Sequence, residues 1–176
     1  YQLYFKSMSL RVKDILPGLS LEGGRMAYQS GEGTRAAGRL LGNAEWTMFE
    51  RAFDGVRLDY RRPGWRAHAS FLMPTQGAFE ESANPTMTGL QVATVSWAHG
   101  ALQAFAHHYR DLRAVAARPD NTGQRSATVD VSVQTAGGYY EGDVGSFDFH
   151  LWGAMQRGRW YDERHRAFSA SADAGY

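Results

Sequence analysis

Arginine is the residue type in this sequence that offers the most chemistry. The chain has seventeen Arg but only two Lys, Lys6 and Lys13. The planar guanidinium group binds a carboxylate through two parallel hydrogen bonds, which the ammonium group of Lys cannot do. The excess of Arg indicates either recognition of carboxylate groups or the codon bias of a GC-rich genome, and composition alone leaves both interpretations open.

Several of these arginines lie in stretches where polar and apolar residues alternate at every step. Between Ala127 and Thr135, the polar residues Thr128, Asp130, Ser132 and Gln134 alternate with Ala127, Val129, Val131 and Val133. The same alternation recurs in three other stretches. In 56–61, Val56, Leu58 and Tyr60 alternate with Arg57, Asp59 and Arg61, and in 65–71, Trp65, Ala67, Ala69 and Phe71 alternate with Arg66, His68 and Ser70. In 147–152, Phe147, Phe149 and Leu151 alternate with Asp148, His150 and Trp152. Successive side chains of a β-strand point to opposite faces. The pattern predicts strands with one apolar and one ionic face, which is typical of a barrel wall between lipid and a watery lumen.

The composition narrows the classes of function. The chain has 176 residues, a formal net charge of +1 and no motif of a nucleic-acid-binding module, so no nucleic-acid partner is predicted. The absence of cysteine excludes disulfide scaffolds, thiolate zinc sites and cysteine nucleophiles. No apolar run reaches the roughly 20 residues that a membrane helix needs. The mean hydropathy of −0.46 fits a soluble protein and an outer-membrane barrel equally well, because half of each barrel strand faces water.

Turn residues divide the chain into nine predicted strands. These strands lie near 2–12, 19–30, 52–62, 65–73, 86–98, 101–116, 125–139, 146–157 and 160–175. Short breaks alternate with the longer connections 31–51, 74–85 and 117–124, which is typical of an up-and-down antiparallel barrel. The pair Gly23-Gly24 predicts a β-bulge, because the apolar residues change phase there. The content of Ala, Leu and Arg in 101–117 leaves a helix as the alternative at that position.

The stretch from Gly42 to Ala69 resembles the bacterial alginate-export family of outer-membrane β-barrels. The matching pieces are Gly24-Arg25, Arg39-Leu40, Trp46, Phe53-Asp54-Gly55 with Arg57-Leu58, and Trp65-Arg66. The resemblance is best over residues 19 to 71. It implies a barrel of about 16–18 strands, so residues 1–176 are expected to form a single, incomplete segment of such a barrel. The alternation from Phe168 to Tyr176 argues against a fragment, because it is typical of the last strand of an outer-membrane barrel.

The resemblance also implies a location in the outer membrane of a bacterium and a passive, non-enzymatic channel. Its partners would be outer-membrane lipid and an anionic, uronate-type polysaccharide or another small hydrophilic solute, with other envelope proteins as further possible partners. A ring of arginines would attract such anions. The candidate lining residues are Arg25, Arg57, Arg61 and Arg66 on strands and Arg39 and Arg51 in a loop that could fold inward. The alternative is that Asp54, Asp59, Glu45 and Glu50 pair with these arginines and only brace the wall.

Other residue groups offer little chemistry. No catalytic residue or cofactor is predicted. No Gly-x-Ser-x-Gly nucleophile motif is present, so the sequence gives no support to hydrolase activity. His107 and His108, with His99 nearby, do not predict a metal site, since adjacent strand residues point to opposite faces. The tryptophans and tyrosines fit an aromatic girdle at the membrane interface or, if they face the lumen as Trp152 is expected to, stacking against sugars. These aromatic residues are Trp46, Trp65, Trp97, Trp152, Trp160, Tyr139, Tyr140 and Tyr161.

Two further hypotheses remain open beside the channel. One is a barrel with a plugged lumen that serves as a structural or docking component of the envelope, and the other is a soluble carbohydrate-binding β-sandwich. A sandwich buries its apolar face against a second sheet, whereas a barrel exposes that face to lipid. The barrel hypothesis predicts that Arg57, Arg61 and Arg66 share the lumen-facing side. It also places Val129, Val131, Val133, Phe147, Phe149 and Leu151 together on the outer face.

Overall fold

The computed structural model describes residues 7–31, 34–35, 38, 40–42, 52–75, 90–111, 131–160 and 163–176. These residues form nine strands: β1 (Met8–Leu16), β2 (Leu19–Met26), β3 (Phe53–Arg62), β4 (Trp65–Pro74), β5 (Leu90–His99), β6 (Leu102–Asp111), β7 (Val131–Val144), β8 (Phe147–Trp160) and β9 (Glu163–Gly175). The predicted all-β class and the nine strands are confirmed. The helical alternative at 101–117 is wrong, since β6 occupies the described part of that range. No helix of the described chain is long and apolar enough to cross a membrane.

All nine strands belong to one antiparallel sheet in the order β1 to β9, which is also their order along the chain. Strands are joined by two-residue turns at 17–18, 63–64, 100–101 and 145–146, and we call this edge of the sheet the turn end. The connections 27–52, 75–89, 112–130 and 161–162 leave the opposite edge, the loop end. A β-sandwich requires two facing sheets. Because the described strands form a single sheet, the sandwich hypothesis is wrong.

The outer face of the sheet carries an apolar row to which every strand contributes one residue. The cross-strand register aligns Val12, Leu21, Leu58, Ala69, Val95, Ala106, Ala136, Met155 and Phe168. The larger side chains of this row are exposed. Because side chains alternate, the residue before or after each of these points to the other face, which we call the inner face.

The sheet curls around its inner face. One cavity of about 1140 Å³ crosses the sheet from β2 to β9, and its lining includes inward residues such as Thr94 and outward residues such as Val95. Another cavity, of about 470 Å³, is lined from the inner face by residues of the five strands β5 to β9, together with Leu40 and Leu41. Five strands therefore border one enclosed space on the inner face.

The predicted face of β8 is confirmed, but that of β7 is wrong. Phe147 and Leu151 are 49% and 47% exposed on the outer face, together with Phe149. Val131 and Val133 are buried on the inner face, because β7 pairs odd-numbered residues with even-numbered residues of β8. Val129 lies outside the described residues.

The predicted bulge at Gly23-Gly24 is also wrong. Both glycines keep an unbroken register with β3, and the irregularity lies in β1, between Val12 and Leu16. The phase change in the sequence has another cause: Leu21 faces outward, whereas Met26 belongs to a buried inner cluster.

Candidate functional site

The middle of the inner face carries a row of polar side chains that crosses eight strands. The register aligns Arg11, Glu22, Arg57, Ser70, Thr94, His107, Thr135 and Gln156. We call this set the central polar row. Its members from β3 to β8 all line the cavity of about 1140 Å³. Ser70, Thr94, His107 and Thr135 are nevertheless buried, so most of the row is packed within the protein.

Ion pairs brace the early strands of this row. Arg11 and Glu22 form an ion pair across β1 and β2. The Nε of Arg57 donates a hydrogen bond of 2.9 Å to Oδ1 of Asp59, with side chains only 12% and 10% exposed. The bracing role that the sequence left open thus holds for Arg57, and this guanidinium is committed to a neighbouring carboxylate.

A chain of hydroxyl and imidazole groups orders the middle of the row. The hydroxyl of Tyr28 lies 2.9 Å from Nε2 of His68 and 3.1 Å from Oγ1 of Thr94. Nδ1 of His68 reaches Oγ of Ser96 at 2.8 Å, and Nδ1 of His107 reaches Oγ1 of Thr94 at 2.7 Å. These contacts tie β4, β5 and β6 to a residue from the connection after β2.

Arg61 and Arg66 lie directly opposite each other on the inner face near the turn end. The register therefore confirms that Arg57, Arg61 and Arg66 share one face. Arg61 and Arg66 are both exposed, and no ion pair involves either of them within the described residues. Like charges that face each other across a strand pair are destabilising. The arrangement leaves two adjacent guanidinium groups available to an anion.

The other candidate arginines do not join this pair. Arg25 shares the outer face with Leu21, and its Nε and Nη2 each donate a hydrogen bond of 2.7 Å to Asp54. The interpretation of Arg25 as a lumen-lining residue is therefore wrong, because the register does not shift at Gly23-Gly24. Arg39 and Arg51 lie outside the described residues, as do Glu45 and Glu50.

Part of the connection after β2 packs on the inner face. We call the described residues among 28–42 the inner segment. Leu41 packs against a buried cluster of Met26, Tyr28, Phe53, Leu72 and Val92. Leu40 packs against a second buried cluster of Phe105, Tyr139, Trp152 and Ala154. Two neighbouring leucines thus anchor the inner segment to both halves of the curved wall.

Polar contacts hold the same segment in place. The backbone N–H of Ser30 donates to the carbonyl of Leu41 at 2.8 Å, so the segment closes on itself. Arg35 donates from its backbone to Oε1 of Glu141 at 2.7 Å and from its side chain to Oδ2 of Asp148 at 2.5 Å. The sequence pattern did not identify Arg35. The signal that could have identified Arg35 is the pair of carboxylates, Glu141 and Asp148, on the ionic side of a predicted hairpin, because such a pair favours a cationic partner.

The aromatic residues divide between the two faces. Trp65 and Trp97 lie on the outer face near the turn end, with ring centroids 5.3 Å apart, and Tyr140 shares that face. Trp152 does face inward as expected, but it is buried beneath the inner segment. Trp160 is the inward tryptophan that stays exposed. Trp46 and Tyr161 lie outside the described residues.

A second cavity, of about 470 Å³, separates the inner segment from the late strands. Its lining includes Leu40, Gln156, Trp160 and His165. Gln156 donates from Nε2 to Oγ1 of Thr135 at 3.1 Å and contacts Nε2 of His165 through Oε1 at 3.1 Å. The indole ring of Trp160 can stack against the face of a sugar, and the amide of Gln156 and the imidazole of His165 can form hydrogen bonds with its hydroxyl groups.

The paired histidines point apart, as the alternation predicts. His107 contacts Thr94 on the inner face, and His108 contacts Ser132 on the outer face at 3.0 Å. His99 lies on the outer face near the turn end, stacked near Trp65. The three imidazoles cannot converge on one ion.

Comparison with known families assigns the chain. The model of the family described as "Alginate export" matches residues 11–176, a longer stretch than the one that carries the resemblance in the sequence. Searches among curated proteins and among solved structures gave no match. The match begins within β1 and extends through β9. The chain therefore belongs to the alginate export family, a family of bacterial outer-membrane export channels and not of enzymes.

Proposed function

We propose that this protein conducts anionic saccharides of the uronate type, or similar small hydrophilic anions, by passive diffusion along the inner face. Arg61 and Arg66 carry the proposal, because they are exposed, directly opposite each other and in no ion pair within the described part of the chain. A uronate carboxylate can accept parallel hydrogen bonds from a guanidinium and would relieve the repulsion between the two cations.

The remaining inner surface supports the same solute. Gln156 offers an amide group and Trp160 a ring for stacking beside the cavity of about 470 Å³. Arg39 and Arg51 remain candidate lining residues of this proposal. Because β1 and β9 do not pair with each other in the described sheet, the proposal includes further strands that complete a larger barrel wall.

Charge reversal tests the conduit. In planar-bilayer recordings under a salt gradient, the wild-type protein should prefer anions, and the double variant Arg61→Glu, Arg66→Glu should prefer cations, since selectivity follows the sign of the lining charge. Arg62→Glu is the matched control. It changes the same charge in the same hairpin, but on the outer face, where Arg62 Nε donates to Tyr60 at 3.1 Å.

Unchanged selectivity of an open double variant would show that these arginines do not face the conduction path. A wild-type protein that never conducts would favour the second candidate function, a plugged barrel that docks other envelope proteins. The inner segment supports this candidate, because Leu40 and Leu41 anchor it across the inner face. Replacing both leucines with Ser should then open a conductance that the wild-type protein lacks.

A further inference from the structure

The outer face carries four arginines at the loop end of β8 and β9. The register pairs Arg157 with Arg166 and Arg159 with Arg164, so two Arg–Arg pairs lie on consecutive outward positions. All four side chains are exposed. We call these four residues the outer arginine patch. It lies on the opposite face of the sheet from Arg61 and Arg66, so an experiment on the patch does not change the pair that carries the proposed function.

No acidic side chain neutralises the outer arginine patch within the described residues. Arg157 donates from Nε to Oε1 of Gln134 at 3.2 Å, a neutral partner. In the cross-strand row of Arg157, β7 and β6 contribute Gln134 and His108. In the row of Arg159, they contribute Ser132 and Arg110. Four like charges in facing and consecutive positions repel one another. Such an array is stabilised when an anion binds across it.

The patch lies at the border of the apolar outer band. On β8, outward residues from Phe147 to Met155 are apolar or glycine, and Arg157 follows at the next outward position. On β9, Phe168 precedes a run of outward alanines, and Arg166 lies on its other side. The apolar part of β8 spans about 27 Å along the strand at 3.4 Å per residue. At a strand tilt of about 35–45° this length rises about 19–22 Å across the membrane, which is most of the lipid-facing band of an outer-membrane barrel, about 25 Å.

This position is the level at which lipid headgroups meet the wall. The opposite border of the band, at the turn end, has aromatic residues such as Trp65 and Tyr140 instead. The two borders therefore differ in chemistry, since aromatic rings predominate at the turn end, where Arg62 also points outward, and guanidinium groups predominate at the loop end of β8 and β9. Three of the four connections at the loop end, 27–52, 75–89 and 112–130, are long. Long connections of outer-membrane barrels face the outside, which assigns the outer arginine patch to the external leaflet.

We propose that the outer arginine patch binds a membrane lipid whose headgroup carries two phosphate groups, with Met155 and Phe168 contacting its acyl chains. Guanidinium groups bind phosphate oxygens through paired hydrogen bonds. A phosphate monoester carries a charge of about −1.5 to −2 at neutral pH. Two such groups balance four arginines, and their lipid tails would extend along the apolar band directly below.

Binding of a defined lipid to the purified, delipidated protein in neutral detergent tests the assignment. The probe is bisphosphorylated lipid A, and the comparison ligand is the same lipid after removal of its phosphates. Wild-type protein should bind the phosphorylated form about tenfold more tightly or better, and the quadruple Arg→Gln variant of the patch should lose this preference. Quadruple replacement by Lys should retain part of it, because Lys keeps the charge but not the planar fork.

Two controls show whether binding depends on the patch itself. Arg62→Gln, an outward arginine at the turn end, should leave binding unchanged, and the circular dichroism and channel selectivity of each variant should match wild type. If the quadruple Gln variant does not fold, the pair Arg157→Gln, Arg166→Gln should still weaken binding about threefold. Equal binding of the dephosphorylated lipid, wild-type binding by the folded quadruple variant, or full competition by equimolar inorganic phosphate would each overturn the proposal.

Discussion

The two ends of the inner face are built from the same alternating strands but have opposite chemistry. At the loop end, inward residues such as Phe53, Leu72 and Val92 are buried and apolar, and the inner segment packs on them. At the turn end, the inward positions of β3 and β4 hold Arg61 and Arg66, exposed and facing each other. One end is filled by the protein itself, and the other is open to a solute.

This difference shows that alternation defines the two faces without defining the environment of each face. Inward residues are apolar and buried at the loop end, mostly polar and buried in the central polar row, and charged and exposed at Arg61 and Arg66. Burial of apolar surface stabilises the covered end, whereas facing cations destabilise the open end. We therefore expect substitutions at the two ends to change stability in opposite directions.

The largest effect is expected at the covered end. Phe53→Ala should lower the free energy of unfolding by about 3–5 kcal/mol, because it removes a fully buried ring and leaves a cavity. Urea unfolding in lipid vesicles measures this change. Leu58→Ala, an exposed outer residue of the same strand, is the matched control and should cost clearly less in the same assay. Equal losses for the two variants would show that the inner cluster is not packed as described.

An intermediate effect is expected in the central polar row. Arg57→Ala should lower the free energy of unfolding by about 1–3 kcal/mol, because it leaves the carboxylate of Asp59 buried without its cation. The double variant Arg57→Ala, Asp59→Ala should recover most of that loss, since both members of the pair are then removed. A double variant that is less stable than the single one would mean that Asp59 has another essential partner.

The smallest effect, and one of opposite sign, is expected at the open end. Arg61→Ala should raise the free energy of unfolding by about 0.2–1 kcal/mol in anion-poor buffer, because it removes repulsion from Arg66. The gain should shrink when uronate oligosaccharide is added, since the ligand stabilises only the arginine pair. Marked destabilisation by Arg61→Ala would reveal a bracing partner and would weaken the proposed anion contact.

Much of the fold follows from local pattern, because the alternation of side chains between two faces is a property of each strand by itself. Nine strands and the shared face of Arg57, Arg61 and Arg66 are consequences of alternation, and the turn at 63–64 follows from its Pro-Gly pair. The outward position of Phe147 and Leu151 follows in the same way. These features depend on residues close together in the chain, so the sequence by itself determined them.

The tertiary structure decided which face each ambiguous strand presents inward. Val131 and Val133 look like lipid-facing residues in the sequence, yet they point inward, and Val133 lines a cavity together with Leu40 and Leu41. Arg25 reads as a lining residue, yet an unbroken register puts it outside with Asp54. Both outcomes depend on contacts between segments far apart in the chain, and periodicity within one strand carries no information about such contacts.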